Sequence, residues 1–125
     1  MDCKSFALDL DAGTSGHLPI LTRENAYALR SGMVTLAPGA DCGEHSTENY
    51  EELLIILEGQ GEARLTGRGD IAVAGGRALY IPPGTTHNVV NLGTEPLRYV
   101  YVVAPSNDNP RQARNEDLLS RTESP

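Results

Sequence analysis

At 125 residues, with 39% apolar and 22% charged residues, the chain has room for one domain with one core and is too apolar to be disordered. Its formal net charge of -7, without any cluster of Lys or Arg, argues against nucleic acid and anionic membranes as partners, because both are held through cationic patches. Two cysteines, Cys3 and Cys42, make no disulfide framework and are read as thiols kept reduced in the cytoplasm.

The opening stretch MDCKSFALDLDAG carries acidic residues and no apolar stretch of its own, unlike a secretory signal. Residues 1–30 are weakly patterned and punctuated by Gly13, Gly16 and Pro19, so they are expected to form an extension packing on the rest, with a short helical turn at 23–29. From Gly32 onward, short β-rich runs follow one another at 33–37, 52–57, 62–66, 71–74, 78–81, 87–90 and 97–103. Turn residues separate them, and no window carries a long stripe of helical period. That pattern predicts an all-β sandwich or barrel over 31–104. The longest apolar run, 53–57, is too short to span a bilayer.

The turns have physical readings. Glu58-Gly59-Gln60-Gly61 and Gly67-Arg68-Gly69-Asp70 can each supply the positive φ of a tight hairpin. Pro82-Pro83-Gly84-Thr85 has the signature of a type II turn, with Pro83 fixing φ and Gly84 tolerating its sign. After Ala104 the composition turns to Pro, Ser, Asn, Asp and Arg, so 105–125 is expected to be a flexible polar tail, with Leu118 and Leu119 as a weak docking point.

Three histidines are present, and two fall beside turn-rich stretches. His45 follows 38–43, and His87 follows the Pro-Pro-Gly turn. Glu52 comes seven residues after His45, at the start of a strand. In a barrel, residues distant in sequence converge on one interior, where two imidazoles and a carboxylate make a facial set with open positions for other ligands. Strand alternation does not choose between Glu51 and Glu52, because 53–57 is apolar on both faces. Alternation does set Cys42 on the face opposite His45 and Thr47, so its thiolate reaches the same interior only through a local irregularity. His17 is read as a surface or packing residue, Tyr80, Tyr99 and Tyr101 as packing, and Asn91 as suited to holding a turn.

The spacings resemble those of the cupin family. Its second motif, G-x5-P-x-G-x2-H-x3-N, is matched at every defining position by Gly76, Pro82, Gly84, His87 and Asn91. Its first, G-x5-H-x-H-x4-E-x6-G, is matched by Gly39, His45, Glu52 and Gly59, with Thr47 where the second histidine is expected. The resemblance implies a small closed antiparallel β-barrel of the double-stranded β-helix or jelly-roll type. It selects Glu52 over Glu51. It also implies a divalent transition metal (zinc, iron, nickel, manganese or copper) held by His45, Glu52 and His87, more weakly than a four-ligand set would hold it. Three ligands still suit a catalytic-type site completed by water. Oxygenase, isomerase, decarboxylase and lyase chemistry on a small molecule are all implied options. A non-enzymatic barrel that binds a small ligand, with or without metal, is the alternative that Thr47 motivates. The second apolar face of 53–57 needs a cover, and a homodimer is expected to supply it.

Overall fold

The computed structural model describes residues 3–106. Nine strands follow in chain order: β1 (Gly16–Leu21), β2 (Arg30–Leu36), β3 (His45–Ser46), β4 (Tyr50–Glu58), β5 (Gln60–Leu65), β6 (Gly69–Ala74), β7 (Ala78–Ile81), β8 (Thr86–Asn91) and β9 (Leu97–Pro105). They form two antiparallel sheets, ordered β1-β2-β9-β4-β7 and β3-β8-β5-β6. No helix occurs among the described residues, and so none long and apolar enough to cross a membrane. All seven expected runs are strands. The structure adds β1, an edge strand within the segment read as an extension, and the two-residue β3.

Side-chain parity builds the core. In β4, Leu54 and Ile56 are buried at 1% exposure each, while Leu53, Ile55 and Leu57 stand about two-fifths exposed on the other face. The inward set packs with Leu36, Ala63, Val73, Ile81, Val89 and Leu97 between the sheets. On the outer face, the groove beside β2 and β9 is lined by Phe6, Leu8 and Leu10 together with Ile20, Leu29 and Val100. Buried Arg98 fastens that segment by bonding the Ala12 carbonyl, while also meeting Glu58 and Thr35. The outer face of β4 and β7, with Leu53, Ile55 and Tyr80, stays open.

The expected closed barrel is not formed. Among the described residues no strand of one sheet pairs with a strand of the other, so the sheets face each other as a sandwich. Edge length is the physical reason: β3 offers two residues and β7 four, too little backbone to carry a ladder across the gap. The chain instead changes sheet at bends. Gly59, expected to sit in a hairpin, is such a corner: β4 pairs with β7 and β9, whereas β5 pairs with β6 and β8. Its φ is +89°, and a Cβ there would stand 2.3 Å from the Pro96 carbonyl oxygen, so no other residue fits. The hairpin expected at Gly67–Gly69 does form, with Leu65 paired to Gly69.

The turn expected near 23–29 is a single one over 22–26, closed by Ala26 N–H to the Thr22 carbonyl and by the Asn25 side chain accepting from Thr22 N–H. Pro105 ends β9 rather than starting a tail, and the remainder of the expected tail, with Leu118 and Leu119, lies outside the described residues.

Candidate metal centre and cavity

Three elements deliver the candidate ligands to one place. His45 on β3 lies directly opposite His87 on β8, with ring centroids 4.3 Å apart at 61°. Glu52 enters from β4 of the other sheet, pointing inward with Leu54 and Ile56. One ligating atom from each of the three lies within 4.8 Å of the others. Glu51 faces outward and accepts a hydrogen bond from the Tyr80 phenol at 2.8 Å. The structure therefore makes the choice between the two glutamates that alternation left open. Burial is uneven: His87 is 1% and Glu52 8% exposed, while His45 lies at the surface.

Hydrogen bonds fix how the imidazoles present themselves. Nδ1 of His45 meets the Gly43 carbonyl at 2.9 Å, and Nδ1 of His87 meets the Thr85 carbonyl at 3.0 Å. A carbonyl only accepts, so each Nδ1 carries the proton and each Nε2 offers a lone pair. Backbone carbonyls orient metal-bound histidines in this way. Nε2 of His87 stands 3.2 Å from Oε1 of Glu52. Burial by itself would lower the His87 pKa. The Glu52 hydrogen bond, the Thr85 carbonyl and the Glu52 charge together outweigh it and raise the pKa above the ordinary 6.5. Two buried electron-pair donors that close require a positive species between them, either a proton or a metal ion. The donor set, with both Nδ1 atoms engaged elsewhere, fits a divalent transition metal.

Thr47 has another task. Its hydroxyl donates to the Pro82 carbonyl at 2.8 Å and accepts from Thr85 N–H at 2.9 Å. These are the two groups that a β-turn normally joins directly, so the hydroxyl is inserted into the turn as a staple. Gly84 at its third position has φ +67°, as the sequence pattern requires. The staple fixes Thr85, whose carbonyl orients His87. Asn91 also holds a turn, donating to the Leu36 and Glu95 carbonyls and accepting from Gly93 N–H.

Cys42 corrects the parity argument. Gly43, at φ +93°, breaks the alternation, and Cys42 packs half-buried against the core instead of pointing away. Its Sγ accepts from Val89 N–H at 3.3 Å and lies 3.4 Å from Asn88 Oδ1. It is not one of the three residues whose ligating atoms converge.

A cavity of about 460 Å³ opens beside the cluster, within the usual range for small-molecule sites. Glu52 and His45 form one end, and Val34, Val103, Tyr50, Tyr99 and Tyr101 form much of the wall. Burial, then the neighbouring Cys42, Glu52 and Tyr101, push the Tyr99 phenol far above its ordinary range, so it stays neutral. Burial and the Glu52 charge also raise Tyr101. Tyr101 bonds His17 Nε2 through its hydroxyl at 2.7 Å, and the two rings stack at 5.7 Å. His17 is thus a packing residue of a specific kind, seated where Gly32 leaves room. Sequence reasoning did not single out Arg30, which lines the same cavity. Its signal was parity, because it shares the inward face of β2 with Val34.

Comparison with known proteins follows the same residues. The chain is 31% identical over 80 residues to the uncharacterized protein YrkC of Bacillus subtilis, a match covering 60% of this chain and 43% of that one. It is 39% identical over 54 residues to the uncharacterized protein MJ1618 of Methanocaldococcus jannaschii, covering 43% and 42%. It thus spans less than half the length of these curated relatives. Among solved structures, BH2720 of Bacillus halodurans superposes with a TM-score of 0.73 at 22% identity, covering 83% of each chain. An RmlC-like cupin family protein of Methanocaldococcus jannaschii, with a double-stranded β-helix fold, does so with a TM-score of 0.68 at 21% identity, covering 91% of this chain and 98% of that one. The family model described as "Cupin domain" matches residues 32–103, more than half of the chain and inclusive of all three clustered residues, and the chain belongs to that family.

Proposed function

We propose that this chain is a metal-dependent, small-molecule-processing cupin in which His45, Glu52 and His87 hold one divalent transition metal at the end of the 460 Å³ cavity. The observation that carries the reading is the 3.2 Å approach of His87 Nε2 to Glu52 Oε1, with both histidine Nδ1 atoms already bonded to carbonyls. When bound, such an ion acts as a Lewis acid on an oxygen of the small molecule. The chain's own part is to orient the three ligands and to surround the small molecule with apolar and aromatic walls. Open faces of the ligand set leave room for both substrate and solvent.

A second reading, a cupin domain that binds a small ligand without turning it over, draws on two details. Thr47 is committed to its turn, and burial holds the Tyr99 phenol in its neutral form. We also infer a homodimer, supported by the open apolar strip of Leu53, Ile55 and Tyr80 on the outer face.

The test is elemental mass spectrometry on tag-free protein, wild type beside His45→Ala and His87→Ala. Near-stoichiometric metal that falls in both variants supports the site. No metal in the wild type, even after reconstitution, sinks the metal reading and favours ligand binding without turnover.

A further inference from the structure

We propose that Arg30 is the anion anchor of this cavity and that the molecule it takes is a small organic carboxylate. The inference rests on reading the cavity as the ligand site. It does not depend on the metal being present. Arg30, Val103 and Glu52 lie in register across β2, β9 and β4, with Arg30 paired to Val103 and Val103 to Glu52. Two strand spacings put the Cα atoms of Arg30 and Glu52 roughly 10 Å apart. The two side chains therefore share one row of the inner face, with the ligand cluster at one end and a guanidinium at the other.

Arg30 is the sole Lys or Arg in the described lining of the cavity. Elsewhere in the fold, Arg64 pairs with Glu62 and Arg98 with Glu58. Arg30 makes no ion pair among the described residues; it spends Nη1 on the Leu29 carbonyl at 2.7 Å and the Ala26 carbonyl at 3.4 Å. Those bonds hold the guanidinium in place and leave Nη2 and Nε, the second edge of its fork, for a ligand. Lys4, Arg23, Arg68 and Arg77 also make no ion pair among the described residues; what sets Arg30 apart from them is its place in the cavity lining.

The walls refine the ligand. Val34, Val103, Tyr99 and Tyr101 between the two ends suit an apolar or aromatic body. Arg forks recognise both carboxylates and phosphates. Here Glu52 stands across the cavity, and its charge opposes a phosphate dianion more than a single carboxylate. The ligand class is therefore a monocarboxylate with a short apolar body, its far end directed at His45, Glu52 and His87.

The experiment is calorimetric titration of the full chain, first as isolated and then after loading with zinc, using 2-hydroxybutyrate, 3-phenylpropionate, their neutral amides and inorganic phosphate. At least one carboxylate should bind, with its amide and phosphate about tenfold or more weaker, the effect of losing one charge-assisted pair. Arg30→Gln should weaken carboxylate binding by a similar factor while leaving metal content and melting temperature unchanged, and Arg30→Lys should fall between. Unchanged carboxylate affinity in either variant, equal binding of the amides, preference for phosphate, or no binding across the panel would each overturn the proposal. Metal content is read separately: Arg30-dependent binding to a protein that takes up no metal would sink the metal reading and leave the anchor standing.

Discussion

Nε2 of His87 and Oε1 of Glu52 stand 3.2 Å apart, both on residues less than one-tenth exposed. Since Nδ1 of His87 is spent on the Thr85 carbonyl, that approach is favourable with a proton on Nε2 or a metal ion shared by the pair, and unfavourable with neither. The two species compete for one position, which makes the site's pH behaviour predictable.

In the metal-free protein the His87 pKa is raised, so the stability it contributes is fully present below the ordinary value of 6.5 and is lost as pH rises through the folded-state value. Metal binding requires the neutral ring and runs the other way. The increase in melting temperature on adding zinc should therefore be near zero at about pH 5 and large at about pH 8. Thermal melts with and without zinc across that range check it, and equal shifts at both ends would place the metal on other ligands. Glu52→Gln should flatten the metal-free profile, because both the bond and the charge that raise His87 weaken with it.

The staple at Thr47 leads to a second expectation. Thr47→Val keeps shape and removes the hydroxyl, leaving the Pro82 carbonyl and the N–H of Thr85, a residue only 2% exposed, without their partner. Loss of about 2 kcal/mol in denaturant unfolding is expected from such unsatisfied groups. Metal content should stay near that of the wild type, since three ligands remain. A Thr47→Val protein of unchanged stability would show that the hydroxyl does not hold the turn.

Much of this architecture was legible in residue order. The seven strands announced themselves because short β-rich runs are bounded by turn residues. β1 did not, since Gly16 and Pro19 mark it as non-strand; an edge position, with a bulge between Pro19 and Leu21, tolerates both. The Gly59 signal was read correctly as positive φ and wrongly as a hairpin, because a hairpin and a sheet-to-sheet corner ask the same of one residue. Tertiary context decides between them. Glu52 and Glu51 were inseparable by alternation because β4 is apolar on both faces, one filling the core and one lying outside. Cys42 was misplaced because a single left-handed glycine, Gly43, resets the parity of what precedes it.

Gly59 gives a sharp test of the corner. Gly59→Ala would put a Cβ 2.3 Å from the Pro96 carbonyl oxygen and hold a β-carbon residue at φ +89°. Backbone strain alone costs about 1–3 kcal/mol, and the overlap with rigid backbone adds to it. The variant should be recovered mainly as insoluble protein, or melt far below the wild type. Gly67→Ala is the control: its φ of +75° carries the strain, but no atom lies within 4 Å of the added Cβ. A Gly59→Ala protein as stable as Gly67→Ala would mean that β4 and β5 can turn without the close approach to Pro96.

The outer face of β4 carries the last expectation. Leu53 and Ile55 are each 39% exposed and Tyr80 53%, side by side on β4 and β7, whereas the corresponding face of β2 and β9 is overlain by the segment bearing Phe6, Leu8 and Leu10. The same sheet face is thus covered by its own chain on one half and uncovered on the other. A second copy, placing its own strip against this one about a twofold axis, would bury both at once and close the assembly. Light scattering on the eluting wild type should give twice the monomer mass, and Leu53→Glu combined with Ile55→Glu should give the monomer with metal content intact, because both side chains point away from His45, Glu52 and His87. A wild type that elutes as a monomer at every concentration would remove the dimer, and a double variant that stays dimeric would move the interface to the groove beside β2 and β9.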